Sequence, residues 1–366
     1  MKKLIHGGDV YRNPDCIDFS ANINPLGPPD SVKKAVAACV NDIAHYPDVQ
    51  CKELKKRLGW AEQMEEEALI IGNGAAELIF ALGYSLRPKR ALLPPPTFAL
   101  CQAVKPKKAL IPVPTFAEYE QALLAAGCEV FYYPLSEENG FRLTEDFLQV
   151  LTGEIDMVFL CNPNNPTGVL TERDLLIQIL NRCKEKQIFL VVDECFLDFV
   201  EEAEAFELKE MTGLYSNLFL LKAFTKRYAI PGLRLGYGIC QNKELLEKME
   251  QAVQPWNVSV PAQAAGIAAL EEDAYVRRAK ALIREEKAYL RKELIRIGMK
   301  CYASEANYIF FRGEKGMCEG CRRQGILIRD CQNYPGLSEG FYRVAVRTRN
   351  ENKKLIEGIE RWQKQL

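Results

Sequence analysis

Lysine, aspartate and arginine must carry most of the chemistry of this 366-residue chain, because it contains only two histidines, His6 and His45. Two imidazoles cannot build a histidine-rich zinc centre, and a Ser-His-Asp triad would have to recruit one of them. The Cys318-x-x-Cys321 pair has no second pair spaced nearby, so no metal site is expected. Four polar segments stand out instead, each directly following an apolar run. After ALII (68–71), Gly72-Asn73-Gly74-Ala75-Ala76-Glu77 opens a helical pattern. Such a turn has free N–H groups and a helix dipole able to hold a phosphate. It approaches the dinucleotide fingerprint, but Glu77 occupies the position of its last glycine, which weighs against a nicotinamide-dependent dehydrogenase. After DMVFLC (156–161) comes Asn162-Pro163-Asn164-Asn165-Pro166-Thr167-Gly168, a turn that presents amide donors at a strand end. Asp193-Glu194 follows IFLVV (188–192), and a carboxylate pressed into an apolar crevice calls for a cationic partner. Lys222-Ala223-Phe224-Thr225-Lys226 follows NLFLL (217–221), with Arg234 eight residues past Lys226. A lysine among apolar residues can lose enough basicity to act as an amine nucleophile. The plain alternatives are a helix start, an Asn-Pro turn, a buried salt bridge and a surface lysine.

Apolar runs alternating with amphipathic stretches predict an α/β fold with a large domain built on a mainly parallel sheet of the seven-stranded type. In such sheets ligands bind beyond the carboxyl ends of the strands, which is where all four segments fall. The stretch TERDLLIQILNRCKEKQ reads as a helix with Thr171 as its N-cap. From about residue 241 the texture changes to charged helices, KELLEKMEQAV and then roughly 261–297, followed by short strands NYIFF, GILIR and YRVAVR. The expected division is residues 1–45 as an N-terminal arm with part of the smaller domain, 46–240 as the large domain and 241–366 as a smaller α+β domain. Residues 80–97 and 98–115 match at ten of eighteen positions, a local duplication that creates two Pro-Thr-Phe corners, at Phe98 and Phe116. Two copies are too few for a solenoid.

Composition narrows the function classes. Lys+Arg 48 against Asp+Glu 49 and a net charge of -1 leave no basic footprint for nucleic acid or an anionic membrane surface. A small-molecule partner is expected. Thirteen cysteines scattered over a long chain read as reduced thiols of a cytoplasmic protein, and no apolar run is long enough to span a membrane.

A phosphate cup, an amide donor, a buried carboxylate, a lysine and a further cation together meet the needs of pyridoxal 5'-phosphate. Lys226 would take the aldehyde as a Schiff base, Asp193 would keep the pyridine nitrogen protonated, and the cup with Arg234 would hold the phosphate.

The stretches HGGDVY, DFSANINPLGPP, NPNNPTG, DECFLDF, FTKRYAIPGLRLGYG, GILIRDCQNYPGL and FYRVAVRTRNEN occur in this order. With them the chain resembles the fold-type I aminotransferase superfamily over nearly its whole length, and within it the threonine-phosphate decarboxylases of cobalamin biosynthesis, themselves similar to histidinol-phosphate aminotransferases. The resemblance implies that Lys226, not Lys222, carries the Schiff base; Lys222 stands where relatives often have arginine. It also implies that Asn165 donates to the cofactor's ring oxygen, that Ala75, Ala76 and Thr225 hold its phosphate, and that Phe116 rather than Phe98 stacks on its ring. Tyr46 would reach the phosphate of a neighbouring subunit, which implies a homodimer with shared sites. Ala223 stands where many relatives have Ser or Thr, which would leave one phosphate hydrogen bond missing, and Phe196 stands where aminotransferases commonly place a tyrosine near the ring oxygen, a departure that tilts away from transamination.

On FYRVAVR, the side chains of Arg343 and Arg347 would share one face about 13 Å apart, at roughly 3.3 Å per residue. One face would thus offer two anion sites, with Arg329 nearby. The resemblance assigns Arg343 to a substrate carboxylate, and Arg329 with His6 to a substrate phosphate. The expected reaction is decarboxylation of L-threonine O-3-phosphate to (R)-1-amino-2-propanol phosphate, with histidinol-phosphate transamination as the alternative. A ligand sensor of the same fold is disfavoured, because no extra stretch of about 60 residues is available for a DNA-binding domain.

Overall fold

The computed structural model describes residues 6–86 and 107–366. In chain order the strands are β1 (Ile17–Asp18), β2 (Leu69–Gly72), β3 (Lys108–Val113), β4 (Glu129–Pro134), β5 (Met157–Cys161), β6 (Phe189–Asp193), β7 (Leu218–Ala223) and β8 (Gly236–Ile239). They continue as β9 (Lys300–Cys301), β10 (Tyr308–Arg312), β11 (Ile326–Leu327), β12 (Arg329–Asp330) and β13 (Phe341–Ala345).

Seven of them form one sheet in the order β2-β8-β7-β6-β5-β3-β4, and only β8 runs antiparallel to its neighbours. The four runs singled out in the sequence are β2, β5, β6 and β7. Strands β5 and β7 are buried along their whole length, the reason they read as unbroken apolar runs rather than alternating ones. Strands β4 and β8 give no such run: β4 is largely exposed, and two of the four residues of β8 are glycines. Register brings the carboxyl ends together. Cys161 pairs with Asp193, Asp193 with Leu221, and Gly236 with both Ala223 and Gly72. Arg234, two residues before β8, therefore enters at the edge where β2, β5, β6 and β7 end.

The second copy of the duplicated unit supplies β3 and the corner at Phe116, whereas Phe98 and residues 87–106 lie outside the described residues. Several local expectations need correction. The helix Arg173–Glu185 begins two residues after Thr171 and has no side-chain cap; Thr171 instead donates its N–H to Asn162 Oδ1. The stretch 261–297 is two helices, Val260–Ala269 and Asp273–Arg296, separated where a run of acids suits the start of the second one. GILIR is split between two sheets, since β11 pairs in parallel with β1 while β12 pairs with β13. Strand β13 also ends at Ala345, before Arg347.

Candidate active site

The ends of β2, β5, β6 and β7, the N-terminal segment and the edge of the small sheet enclose a cavity of about 320 Å3. It is lined by Ala75, Ala76, Phe116, Asn165, Asp193, Thr225, Lys226, Arg234, His6, Arg329 and Arg343, every candidate of the sequence reading except Tyr46. Tyr46 is exposed and stacks on Trp256, with ring centroids 4.4 Å apart.

Each wall has a local cause. Helix Gly74–Ser85 starts at the cavity, leaving its first N–H groups without intrahelical partners. Glu77 accepts from the Asn73 N–H and from Asn257 Nδ2, so the carboxylate at the failed fingerprint position holds the turn in place. Gly74 has φ +78°, and a Cβ there would lie 2.5 Å from Arg234 Nη2. Only glycine lets the guanidinium lie against this helix start. In the amide-rich turn the three asparagines diverge. Asn162 accepts from the Thr171 N–H, Asn164 accepts from the Thr115 hydroxyl and donates to Thr167 and to the Pro114 carbonyl beyond β3, and of the three only Asn165 lines the cavity.

Asp193 is buried at the end of β6, where it accepts from Tyr119 Oη at 2.5 Å and from the Cys195 N–H at 2.9 Å. No cation lies within ion-pair distance among the described residues, and burial raises its pKa. The cationic partner expected from the sequence is thus absent among the described side chains. Lys226 stands in the short helix Phe224–Arg227 directly after β7. It is partly exposed, and the cavity it lines is the space it faces. Burial, reinforced by the Arg343 and Arg234 charges, lowers its pKa to about 8. Lys222 is the opposite case: within β7, it forms ion pairs with Glu194 at 3.5 Å, Glu62 at 3.9 Å and Glu207.

Arg343 and Arg329 are both buried, and neither has a carboxylate partner among the described residues. Arg343 donates to the Ser20 carbonyl at 2.8 Å and to Asn165 Oδ1, while its Nε has no partner. Arg329 donates to Asn333 Oδ1 at 2.9 Å and lies over the Tyr334 ring. The two arginines are directly opposite across β12 and β13 and so share a face of the sheet. Like charges in that relation oppose each other unless anions neutralise them. The pairing of Arg343 with Arg347 fails. Arg347 lies beyond β13 and is bound to Glu351 at 2.6 Å and to the Asp18 carbonyl, which leaves it out of the cavity.

A family model described as aminotransferase class I and II matches residues 14–359. The chain belongs to that family. It is 38% identical to a threonine-phosphate decarboxylase of Salmonella typhimurium, covering 97% of this chain and 95% of that protein. It is 30% identical to a histidinol-phosphate aminotransferase of Symbiobacterium thermophilum, with 98% and 96% covered. Among solved structures, the histidinol-phosphate aminotransferase of Clostridium acetobutylicum superimposes with a TM-score of 0.84 at 29% identity, covering 95% and 99%. The L-threonine-O-3-phosphate decarboxylase of Porphyromonas gingivalis gives 0.78 at 24% identity, covering 94% and 99%, a likeness of fold.

Aminotransferases of this family use pyridoxal 5'-phosphate, and this chain is a pyridoxal-phosphate enzyme of fold type I. Its cavity fits that cofactor. A buried carboxylate without a cation suits a protonated ring nitrogen, a partly neutral lysine suits an aldehyde, and the helix start beside Arg234 suits a phosphate. Sequence reading missed Tyr119, Glu118, Ser20 and Tyr334. Tyr119 had a legible signal, since it stands three residues past Phe116 at the start of helix Ala117–Ala125, the spacing of one helix face. Tyr334 and Ser20 reach the cavity from loops and carry no comparable mark.

Proposed function

We propose that this enzyme decarboxylates L-threonine O-3-phosphate, releasing CO2 and (R)-1-amino-2-propanol phosphate for cobalamin biosynthesis. The observation that carries the proposal is the pair of buried arginines, Arg343 and Arg329, that have no counter-ion among the described residues and face the same cavity as Lys226. A ligand with two anionic groups neutralises both, and the 38% identical decarboxylase supports the same choice.

Lys226 would hold the cofactor through its ε-amino group, and Asp193, tethered by Tyr119 and the Cys195 N–H, would hold the proton on the ring nitrogen. Asn165 would donate to the ring oxygen and Phe116 would cover the ring. The N–H groups of Ala75 and Ala76, the Thr225 hydroxyl and Arg234 would hold the phosphate, with Tyr46 reaching in from the second subunit of a homodimer. When bound, pyridoxal phosphate supplies the electron sink that accepts the pair left by a breaking bond at the substrate α-carbon. The protein selects which bond breaks. Arg343, clamped by Ser20 and Asn165, receives the α-carboxylate without first having to be ordered, while Arg329 and His6 take the phosphate. Fixing both ends orients the bond from the α-carbon to the carboxylate. That bond breaks, CO2 leaves, and Lys226 Nζ, with its lowered pKa, returns a proton to the α-carbon.

Phe196 and Ala223 line the cavity and offer no hydroxyl there. A histidinol-phosphate aminotransferase is the second reading, favoured by the 30% identical relative. Histidinol phosphate has no carboxylate, so its own binding would leave Arg343 unpaired. The test is incubation of the holoenzyme with L-threonine O-3-phosphate. We expect CO2 in amounts equal to the amine formed, with no keto acid consumed. Conversion of the cofactor to pyridoxamine phosphate with a keto-acid requirement would establish the transaminase instead.

A further inference from the structure

Glu118 is an anomaly in this cavity. Among the described residues, Asp193 and Glu118 are the only carboxylates lining it, against the cations Lys226, Arg234, Arg329 and Arg343. Asp193 has a cofactor to serve, but a second acid opposes the binding of anions unless it does something else. Glu118 is mostly buried, with a side chain only 13% exposed. Its Oε1 lies 3.2 Å from Nδ1 of His6, and its Oε2 is buried with no hydrogen-bond partner among the described residues. Burial raises its pKa, opposed by the charges of His6, Lys226 and Arg329.

The N-terminal segment meets this carboxylate along a fixed path. The Gly8 N–H donates to Ser20 Oγ at 2.7 Å, and that hydroxyl donates to Asp18 Oδ1 at 2.6 Å. A Cβ on Gly7 would stand 2.3 Å from the Ser20 carbonyl oxygen, so glycine is needed for the backbone to lie this close. The backbone of the arm is therefore docked by Ser20, but the His6 side chain is half-exposed and its ion-pair partner is Glu118. With Nδ1–H engaged by the carboxylate, Nε2–H of the doubly protonated ring is the donor left to serve an anionic ligand. An acid in the first turn of a helix ordinarily stabilises the helix end from the surface. Glu118 holds that sequence position in helix Ala117–Ala125 but is turned inward.

We infer that Glu118 is a positioning residue for phosphate recognition, holding His6 at the cavity as an imidazolium whose Nδ1–H rests on the carboxylate and whose Nε2–H donates to the phosphate monoester of the substrate. The inference rests on the decarboxylase reading, in which His6 and Arg329 take the phosphate. It extends that reading by making an acid part of an anion site.

The test compares wild type, E118Q, H6A and E118Q/H6A as holoenzymes. Steady-state kinetics with L-threonine O-3-phosphate are set beside binding of L-threonine, which lacks the phosphate, followed by the change in cofactor absorbance. E118Q keeps the side chain's shape and removes its charge. It should raise KM about tenfold with kcat within about twofold, the pattern of lost ground-state binding. L-Threonine binding should not change, and E118Q should add nothing in the H6A background, because the two residues act as one unit. A wild-type KM in E118Q overturns the inference, as does an equal loss with and without His6 or an equal loss for L-threonine. A wild-type enzyme that releases no CO2 overturns the decarboxylase reading and the inference with it. E118Q with unchanged kinetics in an enzyme that does release CO2 overturns the inference alone.

Discussion

Lys222 and Lys226 are four residues apart, and their surroundings make them chemical opposites. Three carboxylates surround Lys222 and raise its pKa beyond the ordinary lysine range, so it stays charged. Lys226 has burial and two arginine charges against it, and its pKa falls to about 8. The reactive form of an amine is the neutral one, so capture of pyridoxal phosphate by the apoenzyme should speed up through pH 7 and level off above about 8. An ordinary lysine, which loses its proton near pH 10.5, would still be accelerating there. Stopped-flow reconstitution between pH 6 and 10, corrected for the titration of the free aldehyde, measures this; a rate still climbing at the upper end would contradict the lowered pKa. The linkage has the same sign. Between about 8 and 10.5 the unfolded chain binds more protons at this site, so the apoenzyme gains stability as pH rises through that window.

At the scale of elements, β7 divides two polar environments between its end and the turn that follows. Lys226 lines the cavity, while Lys222 anchors a buried cluster of Glu62, Glu194 and Glu207, with Lys209 3.1 Å from Glu62. The Tyr237 hydroxyl also donates to Glu62. Burial raises the pKa of Glu194 to about 7, opposed by the Lys222 charge. Removing the central cation leaves desolvated carboxylates facing one another, so K222M should destabilise the protein by about 3–5 kcal/mol near neutral pH. Part of that loss should return on acidification through pH 7 toward 5, as the carboxylates take up protons. Urea unfolding of K222M and wild type at the two pH values checks both the size and the direction. Any fixed cation at 222 would satisfy these three acids.

The whole molecule exposes Val40, Ile43, Tyr46 and Val49 on one stretch, and Tyr46 packs on the half-exposed Trp256. Neighbouring exposed apolar residues of this kind mark an association surface. In the proposed homodimer Tyr46 completes the cofactor site of the other subunit. K226A and Y46A should therefore each be nearly inactive, yet mixed dimers made by co-expression contain one site with both residues intact. Random pairing should restore about a quarter of wild-type activity, since half the dimers are mixed and each has one working site. No recovery in chromatographically verified mixed dimers would place Tyr46 outside the partner's site.

The features legible in the sequence were the local ones. Strands β5, β6 and β7 declared themselves because strands buried on both faces must be apolar throughout, and the polar segment following each run had to bring residues to the crevice at the sheet edge. Asp193 follows from that rule without knowledge of any contact, whereas the choice of Asn165 within its turn and of Lys226 over Lys222 came from the family resemblance. Strands β4 and β8 were hidden, one by its exposure and the other by its two glycines, which leave no apolar run.

Composition and the order of apolar runs thus determined the α/β class, the sheet edge used and the cofactor chemistry, because each depends on residues adjacent in the chain. Only the tertiary structure decided that Arg329 rather than Arg347 faces Arg343, that Tyr119 binds Asp193, and that His6 rests on Glu118. Those contacts join segments from a dozen to more than a hundred residues apart. Whether such segments meet is set by strand register and helix packing, which no local spacing encodes.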